Sequence, residues 1–167
     1  MTSGPLVVAD HDHAQCIDEA LQRAADLCAR RGARLTTLRR RVLELVWQGH
    51  ASVKAYDLLA QLSNEDGSAK PPTVYRALDF LMAHGLVHRL ESLNAYVGCP
   101  QPDASHMSQF LICNGCGTVA EFEAAAIEAA IVEEAEDAGF TVEAQTVEVR
   151  GRCRHCGQPE AELGGPA

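Results

Sequence analysis

Two matching units, Cys113-Asn114-Gly115-Cys116-Gly117 and Cys153-Arg154-His155-Cys156-Gly157, hold four of the seven cysteines in this chain. Thiolates three positions apart and followed by glycine form a tight knuckle that presents both sulfurs to one point. Two knuckles supply Cys113, Cys116, Cys153 and Cys156 to a tetrahedral zinc site of the closed, structural kind. Residues 117 to 152 separate the two units. That is room for a strand, a helix and another strand, so the metal would staple the two ends of a small domain. The same residues also suit a thioredoxin-like redox pair or buried apolar packing. One unit alone leaves those uses open; a second with the same glycine favours zinc.

A looser group of donors lies between and beside the knuckles. His88, Cys99, His106 and Glu121 offer imidazole, thiolate, imidazole and carboxylate, a plausible tetrahedral zinc set with less sulfur than the first. Each also has an ordinary explanation as a surface histidine, a buried linker cysteine, a loop histidine or a solvent-facing acid. No short motif ties them together. An enzyme is disfavoured: no nucleophile–base pair is apparent, and four thiolates leave zinc no open position. His11, His13 and Cys16 read as polar tail residues, His50, His84 and Cys28 as structural or surface residues, and His155 as pointing to solvent.

The elements that must position these groups follow from periodicity and punctuation. Residues 16–31 carry a helical stripe ended by Gly32. Thr36 caps a second helix through residues 37–49, and Ser52 caps a third over residues 53–62, followed by a turn-rich loop at 63–68. Pro71 and Pro72 pre-set a fourth helix over residues 73–84, which Gly85 ends. Two short strands, 86–90 and 94–97, form a hairpin. Short helices followed by a hairpin are the layout of a winged helix-turn-helix. Residues 98–105, with two prolines, read as a hinge. Beyond them lie strands at 109–112 and 118–122, a helix at 124–138 and a strand at 141–149. The expected organisation is α+β. A tail at 1–15 and an N-terminal winged helix-turn-helix domain at 16–97 precede the hinge. A C-terminal α/β domain with the structural zinc site occupies 106–157, and a tail fills 158–167.

Charge divides along the same line. The whole chain has net charge −9, yet residues 1–97 carry 11 Lys/Arg against 11 Asp/Glu, while residues 98–167 carry 3 against 12. Arg23, Arg30, Arg31, Arg34, Arg39, Arg40 and Arg41 crowd one stretch. A basic first part and an acidic second part suggest different partners, although an arginine-rich helix is also an ordinary solvated face. No apolar run approaches bilayer length, and the first fifteen residues lack a basic leader and a hydrophobic core. Cysteines at metal spacing then indicate a reducing cytoplasm.

In the fourth helix Val74, Ala77, Leu78 and Leu81 form the inward stripe, leaving Thr73, Tyr75, Arg76 and Asp79 outside it near the N-terminus. A recognition helix carries its base-contacting side chains there. Arg76 has the fork for guanine O6 and N7, and Tyr75 can pack on a thymine methyl. Tyr56, with Lys54, can touch the DNA backbone. Pattern alone leaves this reading level with a surface helix bearing one exposed arginine.

The string Lys70-Pro71-Pro72-Thr73-Val74-Tyr75-Arg76-Ala77-Leu78-Asp79-Phe80-Leu81 closely resembles the recognition helix of the ferric uptake regulator family. The likeness runs through the hairpin and both knuckles, over roughly residues 20 to 157. With Ala55-Tyr56-Asp57-Leu58-Leu59, it is most similar to the zinc uptake regulator branch. The resemblance implies a homodimeric, metal-dependent repressor that binds double-stranded inverted-repeat operators of zinc-uptake genes, with the C-terminal α/β domain at 106–157 as its dimerisation domain. It implies two zinc ions per chain, the regulatory one on His88, Cys99, His106 and Glu121, and no small-molecule substrate other than metal. An iron- or manganese-sensing member is the alternative. The sulfur of Cys99 counts against it, as does Ser105-His106-Met107-Ser108 where such members carry a His-rich run. Ligands drawn from both sides of a hinge would fix the angle between domains. They would thereby set the spacing of two recognition helices that must reach major grooves about 34 Å apart.

Overall fold

The computed structural model describes residues 13–49, 51–66, 69–103 and 108–157, and four helices open the chain. α1 (His13–Arg30) begins three residues earlier than the stripe predicts and buries Ala20, Leu21, Ala24, Leu27 and Cys28. Gly32, at φ +64°, turns the chain out of it. α2 (Thr37–Trp47) is capped as expected, the Thr36 hydroxyl accepting from the Arg39 N–H. α3 (Ala55–Asp66) and α4 (Pro71–Ala83) follow, and β1 (Val87–Leu90) pairs antiparallel with β2 (Ala95–Gly98). Leu43, Leu58, Leu78 and Leu81 are fully buried where α2, α3 and α4 meet. This is the winged helix-turn-helix, with β1 and β2 as the wing.

Two details of α3 differ from the expectation. It starts at Ala55 because Val53 is extended, exchanging backbone hydrogen bonds of 2.9 and 2.8 Å with Tyr96 of the wing. A β-branched residue suits that bridge better than a helix start. The helix also runs through residues 63–66, where turn-forming residues predict a loop. Buried Leu62 and the ion pair from Arg41 to Glu65 hold that last turn, so tertiary contacts override local propensity. Residues 67 and 68 of the expected loop lie outside the described residues.

The second part is a sheet in the order β4-β3-β5, made of β3 (Ser108–Cys113), β4 (Val119–Phe122) and β5 (Thr146–Gly151). β3 runs antiparallel to β4 and parallel to β5, with α5 (Ala125–Asp137) linking β4 to β5. The last strand starts at Thr146 rather than at 141. Thr146 pairs with Ser108, the first residue of β3. α5 buries none of its residues, and Ile127, Ile131, Phe140 and Val149 are exposed.

The wing and the sheet share a small core. Leu90, Phe110, Ile112 and Val119 are buried together, with Leu93 and Val97 packed against them. Gly98 ends β2 against the Trp47 indole, so closely that a Cβ there would lie 2.3 Å from the ring. α1 holds the following segment, Arg23 donating to the Pro100 carbonyl at 3.1 Å and Arg30 pairing with Asp103. No helix among the described residues is long and apolar enough to cross a membrane. Residues 1–12 and 158–167 of the expected tails, and 104–107 with the end of the hinge, lie outside the described residues.

Candidate metal centres and nucleic-acid interface

Parallel pairing of β3 with β5 sets Cys113 opposite Gly151, so both knuckles leave the same end of the sheet. The Asn114 N–H donates to the Gly151 carbonyl at 2.8 Å and holds them together. The ligand atoms of Cys113, Cys116, Cys153 and Cys156 all lie within 4.8 Å of one another. Cys116 Sγ stands 3.7 Å from Cys153 Sγ, close to the edge of about 3.8 Å of a tetrahedron with zinc–sulfur bonds near 2.3 Å. A Cβ on Gly115 would come within 2.8 Å of Cys156 Sγ. The glycine inside the first knuckle is therefore what admits the second.

The electrostatics suit a cation. Backbone N–H groups of Cys116, Cys153 and Gly115 hold the Cys113 thiol down to about 6, and the Thr118 hydroxyl lowers that of Cys116. Cys156 is pushed up to about 12 by neighbouring Cys153, Cys116 and Cys113. Four thiolates cannot all form side by side without positive charge among them. A divalent ion supplies that charge, and its binding releases protons.

The looser set also converges. His88 comes from β1, Cys99 follows β2, and Glu121 belongs to β4; their ligand atoms lie within 4.8 Å of one another. His88 Nε2 is 3.2 Å from Glu121 Oε1. Cys99 is 4% exposed, and burial, then the Glu121 carboxylate, pushes its thiol up to about 12. His106, the expected fourth member, lies outside the described residues. Sequence reasoning missed Ser108, whose Oγ is 3.0 Å from His88 Nδ1. A lone serine starting a strand carries no local signal of that contact. The His88 ring also meets Phe110 edge-on, with centroids 5.4 Å apart.

On α4 the expected reading face stands clear of the core. Thr73, Arg76 and Asp79 are exposed, Tyr75 is 51% exposed, and Tyr56 on α3 is 77% exposed. The crowded arginines are a different matter. Arg23 and Arg30 hold the segment after β2, Arg31 donates to the His84 carbonyl at 3.0 Å, and Arg41 pairs with Glu44 and Glu65. Arg39 lies 3.5 Å over the Phe80 ring and donates to the Arg34 carbonyl. Much of that basic stretch ties the helices together instead of forming a free basic face.

Residues 30–150 match the ferric uptake regulator family. The chain belongs to the ferric uptake regulator family. Among relatives of this Fur-family chain, the zinc uptake regulation protein of Escherichia coli (strain K12) is 42% identical over 144 residues, which span 86% of this chain and 84% of that protein. A zinc uptake regulator complexed with zinc and DNA matches at TM-score 0.80 and 42% identity, over 84% of this chain and 94% of that one. The protein XcZur has been solved in two states. Holo XcZur matches at TM-score 0.76 and 44% identity, covering 83% of this chain and 97% of its own. Apo XcZur matches at only 0.52 and 42% identity, covering 85% and 98%. With identity nearly constant, the difference is one of arrangement. The overall backbone of this Fur-family chain is closer to the holo form than to the apo form.

Proposed function

We propose that this chain is a zinc-responsive transcriptional repressor that binds inverted-repeat operators of zinc-uptake genes as a zinc-loaded homodimer. The observation that carries the reading is the convergence of His88, Cys99 and Glu121 from the wing, the linker and the sheet. A donor set that straddles two parts of a molecule reports metal through their relative position. The relatives solved with zinc and DNA, and in holo and apo forms, support the same reading.

In this reading the residues divide into three roles. Cys113, Cys116, Cys153 and Cys156 hold a permanent structural zinc at the end of the sheet. His88, Cys99 and Glu121, with His106, hold the regulatory zinc; the thiolate of Cys99 favours zinc over manganese or ferrous iron. The bound ion contributes positive charge and a tetrahedral preference. Bound there, zinc would supply the positive charge that a Cys99 thiolate beside the Glu121 carboxylate requires, and would join the wing to the sheet through the residues that hold it. Thr73, Tyr75 and Arg76 at the start of α4 enter the major groove, Arg76 reading guanine, while Tyr56 touches the flanking backbone. The closed thiolate site offers no catalytic position, so no reaction is assigned, and the site of action is the cytoplasm, where the DNA is.

Zinc that favours the DNA-competent arrangement raises DNA affinity, and DNA raises zinc affinity by the same factor. A mobility-shift titration against buffered free zinc, with ferrous iron and manganese as separate arms, tests the proposal. Zinc is expected to drive the shift at the lowest free concentration. A shift driven preferentially by iron or manganese would reassign the metal, and a shift indifferent to all three would remove the sensing role.

A further inference from the structure

One contact between wing and sheet involves none of these donor residues. Glu148 lies on β5 opposite Phe110, half-buried, and its carboxylate reaches the turn that joins β1 to β2. Oε1 accepts from the Glu91 N–H at 2.7 Å, and Oε2 accepts from the Ser92 N–H at 3.1 Å. Two successive amides aimed at one carboxylate make an anion nest, and charge-assisted hydrogen bonds are the stronger kind. The turn is shaped for this. Asn94 takes φ +47°, the Asn94 N–H donates to the Glu91 carbonyl at 3.3 Å, and Arg89 donates to Asn94 Oδ1 at 3.1 Å. Next to the nest, Leu90, Leu93 and Val97 of the wing segment pack on Phe110, Ile112 and Val119. The carboxylate thus holds the backbone of the wing turn while the apolar cluster packs the side chains beside it.

We propose that Glu148 is a positioning residue that latches the wing to the dimerisation sheet and so sets how much zinc the protein needs to bind DNA. The proposal rests on the zinc-responsive reading above. A ligand that binds one arrangement is weakened in proportion to the fraction of molecules holding that arrangement. The latch raises that fraction without touching metal. Its loss shifts the zinc requirement, while zinc in excess still recovers the bound state.

The test uses the full-length dimer and a duplex selected by the wild-type protein from a random-sequence pool. Glu148→Ala is expected to raise the free zinc needed for half-maximal binding by about tenfold, with binding restored at saturating zinc. Glu148→Gln keeps one acceptor oxygen and is expected to fall between. Hydrogen exchange of the zinc-loaded proteins supplies the second readout. Peptides covering Glu91 and Ser92 should exchange faster in both variants, with the four-cysteine region unchanged. An unshifted zinc midpoint in both variants would overturn the proposal, as would unchanged exchange at the turn. Faster exchange throughout the chain would also overturn it, by showing Glu148 to be a general stabilising residue. A wild-type protein that binds no selected duplex at any zinc concentration defeats the functional reading instead, and the exchange comparison still decides whether the latch exists.

Discussion

At Cys99 the thiol is buried and its proton is held tightly, so a metal that takes it must displace that proton. Replacing the sulfur is therefore expected to separate the two sites. Cys99→Ser should keep the zinc of the four-cysteine site and lose zinc-dependent operator binding, measured by metal content and mobility shift on the same sample; undiminished operator affinity would remove Cys99 from the regulatory set. Ser108 acts one step further out. Ser108 Oγ stands 3.0 Å from His88 Nδ1, where it would accept from an Nδ1–H when Nε2, the nitrogen beside Glu121, serves as the ligand. Loss of such an outer partner typically weakens metal binding by about 10–100-fold. Ser108→Ala is expected to lower zinc affinity in that range in a competition titration against a chelator, and Ser108→Thr to restore most of it. At this scale the donor types were legible in the sequence. Ser108 was not, because a hydroxyl 20 residues from its partner leaves no periodic or spacing trace.

Among the elements, α4 and the wing do different work. α4 leaves Thr73, Tyr75, Arg76 and Asp79 exposed because Val74, Ala77, Leu78 and Leu81 bury the opposite stripe, and that division was readable from a 3.6-residue period. Arg76→Ala is expected to weaken binding to the selected operator by about 1–3 kcal/mol while relaxing discrimination at one base position; equal loss on all sequences would make Arg76 a phosphate contact instead. The wing includes a contact that no pattern predicts, the Trp47 ring packed close against Gly98. A methyl group there must displace the indole or strand β2, so Gly98→Ala is expected to cost roughly 1–3 kcal/mol of stability. A thermal unfolding midpoint equal to wild type would show that the ring moves aside freely. The beginning of α3 was misjudged because it is set by a partner, Tyr96, that lies far away in the chain.

For the whole molecule, the backbone taken together matches holo XcZur better than apo XcZur. The apolar residues that α5 and its surroundings leave exposed, Ile127, Ile131, Phe140 and Val149, offer a face for the second copy of a homodimer. Native mass spectrometry is expected to show that dimer carrying two zinc ions per chain, one for each donor cluster. Mild chelation should remove one per chain with the dimer intact. Loss of both together would mean that the clusters are not independent sites. The amino-acid sequence by itself determined what local chemistry can determine: two knuckles, the buried stripes, the Thr36 cap and the exposed side of α4. Each depends on residues within a few positions of one another. Tertiary structure alone decided which distant groups meet. It brought His88, Cys99 and Glu121 together, tied Arg23, Arg30, Arg31, Arg39 and Arg41 to other parts of the fold, and set Glu148 beneath the wing turn. Those meetings depend on strand register and on the packing of one part against another, which act across the chain and leave no mark on local spacing.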